Sequence, residues 1–280
     1  MAKLIGYTLP MSATGRSALV PAPPWYFSGE VLLVEYLADP DAVATFLPDG
    51  LEPPAQPGLA AAIFGDWQSC TEGGEELLDP VRSQYREFYV ALACTWRGEP
   101  VARCPFCWVD KDFSLVRGLI QGYPKKLGSI AVTRAFDLGR ATPAVAPGAR
   151  FAGTLAAGDR RLVEACVTLQ EPADAPGLMV APLIHTRRFP AWDDETPPVE
   201  ELVAGGSTEQ RVENVWSGSA TLEFFDSPTD ELALLRPIEI LGGYRLSFAE
   251  TIIHGRVLDR GTDLVKTGRY VVAAEAVEAN

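Results

Sequence analysis

The stretch YREFYVALACTW-RGEP-VARCPFCWV, residues 85–109, most limits what this chain can fold into. Two runs rich in aromatic and β-branched residues flank a short turn containing Gly98, which reads as an antiparallel hairpin. Similar runs recur along the chain: EVLLVEYLA (30–38), LAAAIFGDWQS (59–69), SIAVTRAFDL, FAGTLAA, RLVEACVTLQ, TLEFF and YRLSFAETII, with AAGDRR as a turn between two of them. Helical signals are few. Asp39 followed by Pro40 predicts an N-cap and first helical position, for a helix that stops before Pro48. Asp112 is placed to cap FSLVRGLIQG, with Phe113, Val116, Leu119 and Ile120 on one apolar face. Gly122 ends that helix, and Pro124, which has no amide hydrogen and restricts Tyr123, forbids its continuation. Many strands with few short helices predict an α+β, mainly antiparallel β fold. Residues 139–149 read as a Pro/Gly loop, and 172–210 as an irregular excursion between sheets rather than a linker, so residues 1–280 are expected to form a single domain.

Charge and motif content remove several function classes. The net charge of −13 argues against nucleic-acid binding, because a phosphate backbone would be repelled. No apolar run approaches the roughly 20 residues of a membrane helix, and MAKLIGYTLPMSATG lacks the apolar core of a signal peptide, so a cytoplasmic protein with no membrane partner is expected. No βαβ dinucleotide unit, GxGxxG or P-loop is present, and no cofactor is expected. The five cysteines are odd in number and dilute, which argues against a disulfide framework. Cys104-Pro-Phe-Cys107 has CxxC spacing but no second ligand pair, so small buried thiols are expected there and no metal site. His185 and His254 lie beside apolar strand-like residues and are expected to be structural. SGSA (217–220) does not form a nucleophile elbow.

One segment stands apart. QGYPKKLG (121–128) sets Lys125 beside Lys126 directly after the second helix. A free lysine is protonated at neutral pH and non-nucleophilic. Burial and a neighbouring like charge both favour the neutral amine. After the proline turn Lys125 can project inward while Lys126 points elsewhere, and a neutral amine can attack a ketone to form an iminium, the electron sink that carbanion chemistry requires.

This octapeptide resembles the active-site segment of acetoacetate decarboxylases, where an aromatic-Pro-Lys-Lys-Leu-Gly stretch carries the Schiff-base lysine. EVLLVEYLADPDAVATFLPDGL resembles the family's first strand and helix, SQYREF a strand bearing a catalytic glutamate, and VWSGSATLEFF a late strand, so the likeness covers roughly residues 20–255. It implies an acetoacetate decarboxylase-like β-barrel or cone fold with a few short helices, and a homo-oligomer. It makes Lys125 the nucleophile, Lys126 its activating neighbour and Glu87 a catalytic carboxylate. Two family features are missing: the decarboxylases' arginine falls near Gly29, and their second glutamate falls within AAAIFGDWQ, which has none.

DWQ, SQYREF and Gln-Gly-aromatic-Pro-Lys-Lys together resemble the aldolase–dehydratase branch of the superfamily. That likeness implies a Schiff-base lyase acting on a 2-oxo acid such as pyruvate, by aldol condensation or dehydration, the latter possible as a cyclisation. It assigns substrate contact to Gln121 and puts Glu250 where the branch carries an acid/base tyrosine, with Tyr244 six residues earlier. Tyr85 or Arg86 is a further candidate for holding substrate, Lys126 lies at the same site, and Trp67, between Asp66 and Gln68, is a candidate pocket wall. The partners implied are small keto acids and aldehydes. Two other readings remain at this stage: a β-keto acid decarboxylase, distinguished by release of carbon dioxide, and a non-catalytic binding protein that retains the pocket.

Overall fold

The computed structural model describes residues 3–193 and 195–260. Fourteen strands form one sheet. They are β1 (Trp25–Leu37), β2 (Leu51–Glu52), β3 (Leu59–Cys70), β4 (Gln84–Trp96), β5 (Glu99–Val109), β6 (Lys125–Leu127), β7 (Ser129–Val132), β8 (Arg150–Ala157), β9 (Arg160–Pro172), β10 (Leu183–Phe189), β11 (Val199–Ala204), β12 (Ser207–Phe224), β13 (Glu239–Ile252) and β14 (Arg256–Arg260). The hydrogen-bonded order is β14-β11-β10-β5-β4-β3-β1-β13-β12-β9-β8-β7, with β2 on β4 and β6 on β5. All pairings are antiparallel except β10 and β6, which both run parallel to β5. The expected class is therefore seen, but the sheet is not closed: its path ends at β14 and β7. It curls instead, so that β7 lies near β3, β4 and β5.

The central strands are buried on both faces, which explains their near-continuous apolar sequences. Leu32, Val34, Phe64, Phe88 and Trp108 pack on one face, and Val31, Leu33, Ile63, Tyr89 and Val109 on the other. Each fully buried Leu, Ile or Phe among them contributes about 1.5–3 kcal/mol. The β4–β5 hairpin turns through Arg97 and Gly98, both at positive φ (53° and 83°), which matches the right-handed twist of the strands it joins.

The helices are α1 (Pro40–Thr45), α2 (Pro80–Ser83), α3 (Asp112–Gln121) and α4 (Gly177–Val180). Asp39 caps α1 as expected, accepting from the Asp41 amide at 2.9 Å. Among the described residues no helix is long and apolar enough to cross a membrane. Cys104 and Cys107 are buried free thiols on β5.

Three expectations need correction. Residues 172–210 are not merely irregular: they hold α4, β10, β11 and the start of β12, whose short polar stretches carry little periodicity. The N-cap of α3 is Lys111, and Asp112 sits one position inside, accepting only from the Phe113 amide. The buried face of α3 is Phe113, Ser114, Arg117 and Gly118, while Leu119 is exposed. Phe113 on that face joins the apolar core, whereas Ser114 and Gly118 pack against Lys125.

Candidate active site

The end of α3 aims Lys125. Gly122 takes the left-handed conformation (φ 94°) that a helix C-terminus favours. The Tyr123 amide then donates to the Gly118 carbonyl at 2.9 Å, and Pro124 leads the chain into β6. Successive side chains of a strand point to opposite faces. The Lys125 side chain is thus buried, whereas that of Lys126 is 50 % exposed on the other face, paired with Asp230 and lying over Trp108. The like charge that the sequence sets beside Lys125 is turned away from it.

Lys125 Nζ lies 2.6 Å from Glu87 Oε2, and both side chains are almost fully buried. It also donates to Ser114 Oγ at 3.1 Å. The Tyr85 and Tyr123 ring centres are 5.5 and 5.3 Å away. The stem runs over Gly118, where an added Cβ would stand 2.3 Å from Lys125 Cδ. On β4, alternation puts Tyr85, Glu87 and Tyr89 on this face and Arg86 on the opposite one, 3.7 Å from Asp66.

Lys125, Glu87, Gln121, Glu250, Tyr85 and Trp67 line one cavity of about 150 Å³, so six of the expected residues are brought together. Arg86 and Lys126 do not line it. A larger, more open cleft of about 550 Å³ lies among Asp66, Gln68 and Arg134, away from the lysine. Its charges are already paired, as in the 2.6 Å contact of Arg134 with Asp66, and we attach the chemistry to the smaller cavity.

Burial pushes the Glu250 carboxyl above its usual range; a hydrogen bond from Ser207 opposes this and the nearby Glu87 charge adds to it. Burial likewise raises the phenols of Tyr85, Tyr89 and Tyr123, reinforced by Glu87 and Glu250, so all three stay protonated and available as donors. Tyr244, the tyrosine of β13, does not line the cavity.

Trp67 explains the missing arginine. Its indole lies over Gly29 and Gly65, where an added Cβ would come within 2.5 and 2.0 Å of the ring. A side chain at position 29 has no room while that ring is in place. Sequence reasoning missed Ser114 and Arg117. Arg117 is buried behind Tyr85, among Trp25, Phe27 and Phe113, and donates to Ser69 at 3.1 Å. The available signal was helical spacing: positions 114, 118 and 121 lie on one face of α3 that points at Lys125.

His185 is fully buried against Tyr123, with ring centroids 3.7 Å apart. Burial, then the Arg103 and Lys125 charges, holds its imidazole well below the usual value. Neither ring nitrogen has a hydrogen-bond partner among the described residues.

The curled sheet thus carries a buried lysine–carboxylate pair in a cavity of small-molecule size. Residues 8–261 match the acetoacetate decarboxylase family, and the chain belongs to that family. Among solved structures it is 45 % identical to the enduracididine biosynthesis enzyme MppR, complexed with the condensation product of pyruvate and imidazole 4-carboxaldehyde (TM-score 0.88, covering 92 % of this chain and 98 % of that one). MppR complexed with pyruvate matches equally, at 45 % identity and TM-score 0.87 over 92 % of this chain and 99 % of that one. An acetoacetate decarboxylase-like enzyme from Sphingomonas wittichii RW1 is 28 % identical over 92 % of this chain and all of its own (100 %), with TM-score 0.85. Acetoacetate decarboxylase from Legionella pneumophila, 19 % identical over 86 % of this chain and 89 % of its own, shares the fold (TM-score 0.71). No curated protein matches. Within the family the chain falls in the aldolase–dehydratase type of branch, with MppR.

Proposed function

We propose that this protein is a Schiff-base lyase that joins a 2-oxo acid such as pyruvate to an aldehyde, or dehydrates the resulting type of product, through an imine on Lys125. The observation that carries the proposal is the buried Lys125 amine, 2.6 Å from Glu87 in a cavity that also holds Gln121 and Glu250. MppR, 45 % identical, binds pyruvate and a pyruvate–aldehyde condensation product, which supports the same substrate class here.

Glu87 is close enough to take the ammonium proton and leave Lys125 nucleophilic. The amine adds to the ketone and water departs, giving an iminium. Glu250, whose carboxyl burial makes a better base than a solvated one, removes a proton from the adjacent carbon to give the enamine. The enamine attacks an aldehyde, or expels a β-hydroxyl. Gln121, at the helix end, is placed to donate to the substrate carboxylate. With Trp67 over Gly29, the cavity has no arginine from that strand, which argues against simple β-keto acid decarboxylation.

Adding pyruvate with borohydride tests the proposal. Mass spectrometry is expected to find a reduced pyruvyl adduct on Lys125. Folded protein that gives no adduct with pyruvate or any other 2-oxo acid refutes the imine.

A further inference from the structure

The Lys125 nitrogen has two polar partners, and only Glu87 has a role so far. The other is Ser114 Oγ, at 3.1 Å. Ser114 is completely buried in the first turns of α3, and this is its only side-chain hydrogen bond among the described residues. Alanine would suit the helix better and bury no polar atom. A hydroxyl differs from a carboxylate in carrying a donor as well as acceptors. It accepts from the ammonium, and it donates to the lone pair once the proton has gone. Ionised Glu87 can only accept. No other hydroxyl is recorded within hydrogen-bonding distance of this nitrogen among the described residues.

We infer that Ser114 is a catalytic residue of imine formation, its hydroxyl passing a proton from the Lys125 nitrogen to the substrate oxygen that leaves as water. This rests on the imine reading above. The ammonium first gives a proton to Glu87. The nitrogen lone pair then bonds to the carbonyl carbon while the C=O π pair moves to oxygen. The oxygen takes the Ser114 proton as Ser114 takes one from the now cationic nitrogen, leaving a neutral carbinolamine and an unchanged serine. Direct transfer between those atoms would need a strained four-membered ring; the serine makes it six-membered. Protonated Glu87 then donates to the hydroxyl, the C–O bond breaks, and the nitrogen lone pair completes the iminium. Water is released and Glu87 is again ionised.

The test is rapid-quench trapping of the pyruvate adduct with cyanoborohydride in wild type, Ser114→Ala and Ser114→Thr, with pyruvate affinity measured separately by equilibrium binding. Ser114→Ala is expected to slow adduct formation by about 10²-fold or more, with affinity changed by less than about threefold and Ser114→Thr recovering most of the rate. Trapping by Ser114→Ala at the wild-type rate overturns the proposal, and so does equal loss of affinity and rate, which marks a structural role. Should Ser114→Thr fail to fold, the solvent deuterium isotope effect on trapping decides. An effect present in wild type and lost in Ser114→Ala sustains the relay, and one that is the same in both overturns it. No adduct in wild type removes the imine reading and this proposal with it, whereas an adduct in wild type with no effect of Ser114→Ala removes the relay alone.

Discussion

Gly118→Ala perturbs the site through the shape of the helix alone. The new Cβ would lie 2.3 Å from Lys125 Cδ, 2.6 Å from Cε and 2.8 Å from Cγ. Ordinary contact requires the stem to retreat by about 1 Å, away from a helix that is fixed on its other side. The lysine cannot simply swing, because its amine is tied to Glu87 and Ser114 and its backbone to β5. Two effects on stability oppose each other. Overpacking costs about 1–3 kcal/mol, and replacing a helical glycine returns about 0.5–1 kcal/mol. The variant should therefore fold, with a net loss of no more than about 2.5 kcal/mol. A displacement of about 1 Å at a reacting group costs on the order of 10²-fold in rate. Urea melts and the rate of borohydride-trapped pyruvate adduct measure the two quantities side by side. Gly73→Ala, whose nearest neighbour would be 3.8 Å away, serves as a control expected to change neither. A Gly118→Ala protein that melts normally and traps at the wild-type rate would falsify the placement of the stem in this slot.

Glu250→Gln should abolish an acidic limb of kcat/KM that lies above the ordinary value of 4.5, since a base must be ionised to act. Its stability signature has a definite sign. The raised folded carboxyl contributes most below 4.5 and loses that contribution as pH rises through the folded value, so Glu250→Gln gains on wild type in urea melts at about pH 7 and not at about pH 4. Lys126→Ala should trap pyruvate within about threefold of wild type, because its half-exposed charge on the far face is screened by solvent; a loss approaching that of Lys125→Ala would mean that Lys126 activates the amine after all. His185→Leu should remove a pH dependence of opposite sign. The buried imidazole stays neutral while the unfolded one protonates below 6.5, so wild type loses stability as pH falls through that value and the variant loses less. Parallel pH profiles for the two would refute a depressed imidazole.

The strands, the hairpin turn and the cap of α1 were legible because each depends on local chemistry: β-rich runs, a two-residue turn, an aspartate before a proline. So was the lysine pair, whose proline turn and strand alternation already send the two side chains apart. The buried face of α3 was not legible from apolar periodicity. Phe113 enters the core as its apolar character implies, but Ser114 and Gly118 face Lys125 and Arg117 lies behind Tyr85, so the inward face carries no continuous hydrophobic stripe. Residues 172–210 hid two strands for a related reason: β10 and β11 are ordered by the neighbours they pair with, β5 and β14, more than by their own propensity.

What the sequence determined alone is the family and the mainly antiparallel class, and it singled out Lys125 as the candidate nucleophile, since these reside in short contiguous segments. What only the tertiary structure decided is which groups meet that lysine. Glu87 arrives from β4, Ser114 from α3 and Glu250 from β13, three segments far apart in the chain. Arg86 and Lys126 adjoin Glu87 and Lys125 in sequence yet face away. A strand reverses its side chains at every residue, so adjacency along the backbone separates two groups by the full thickness of the sheet, and only the pairing of strands and the docking of the helix bring distant ones together.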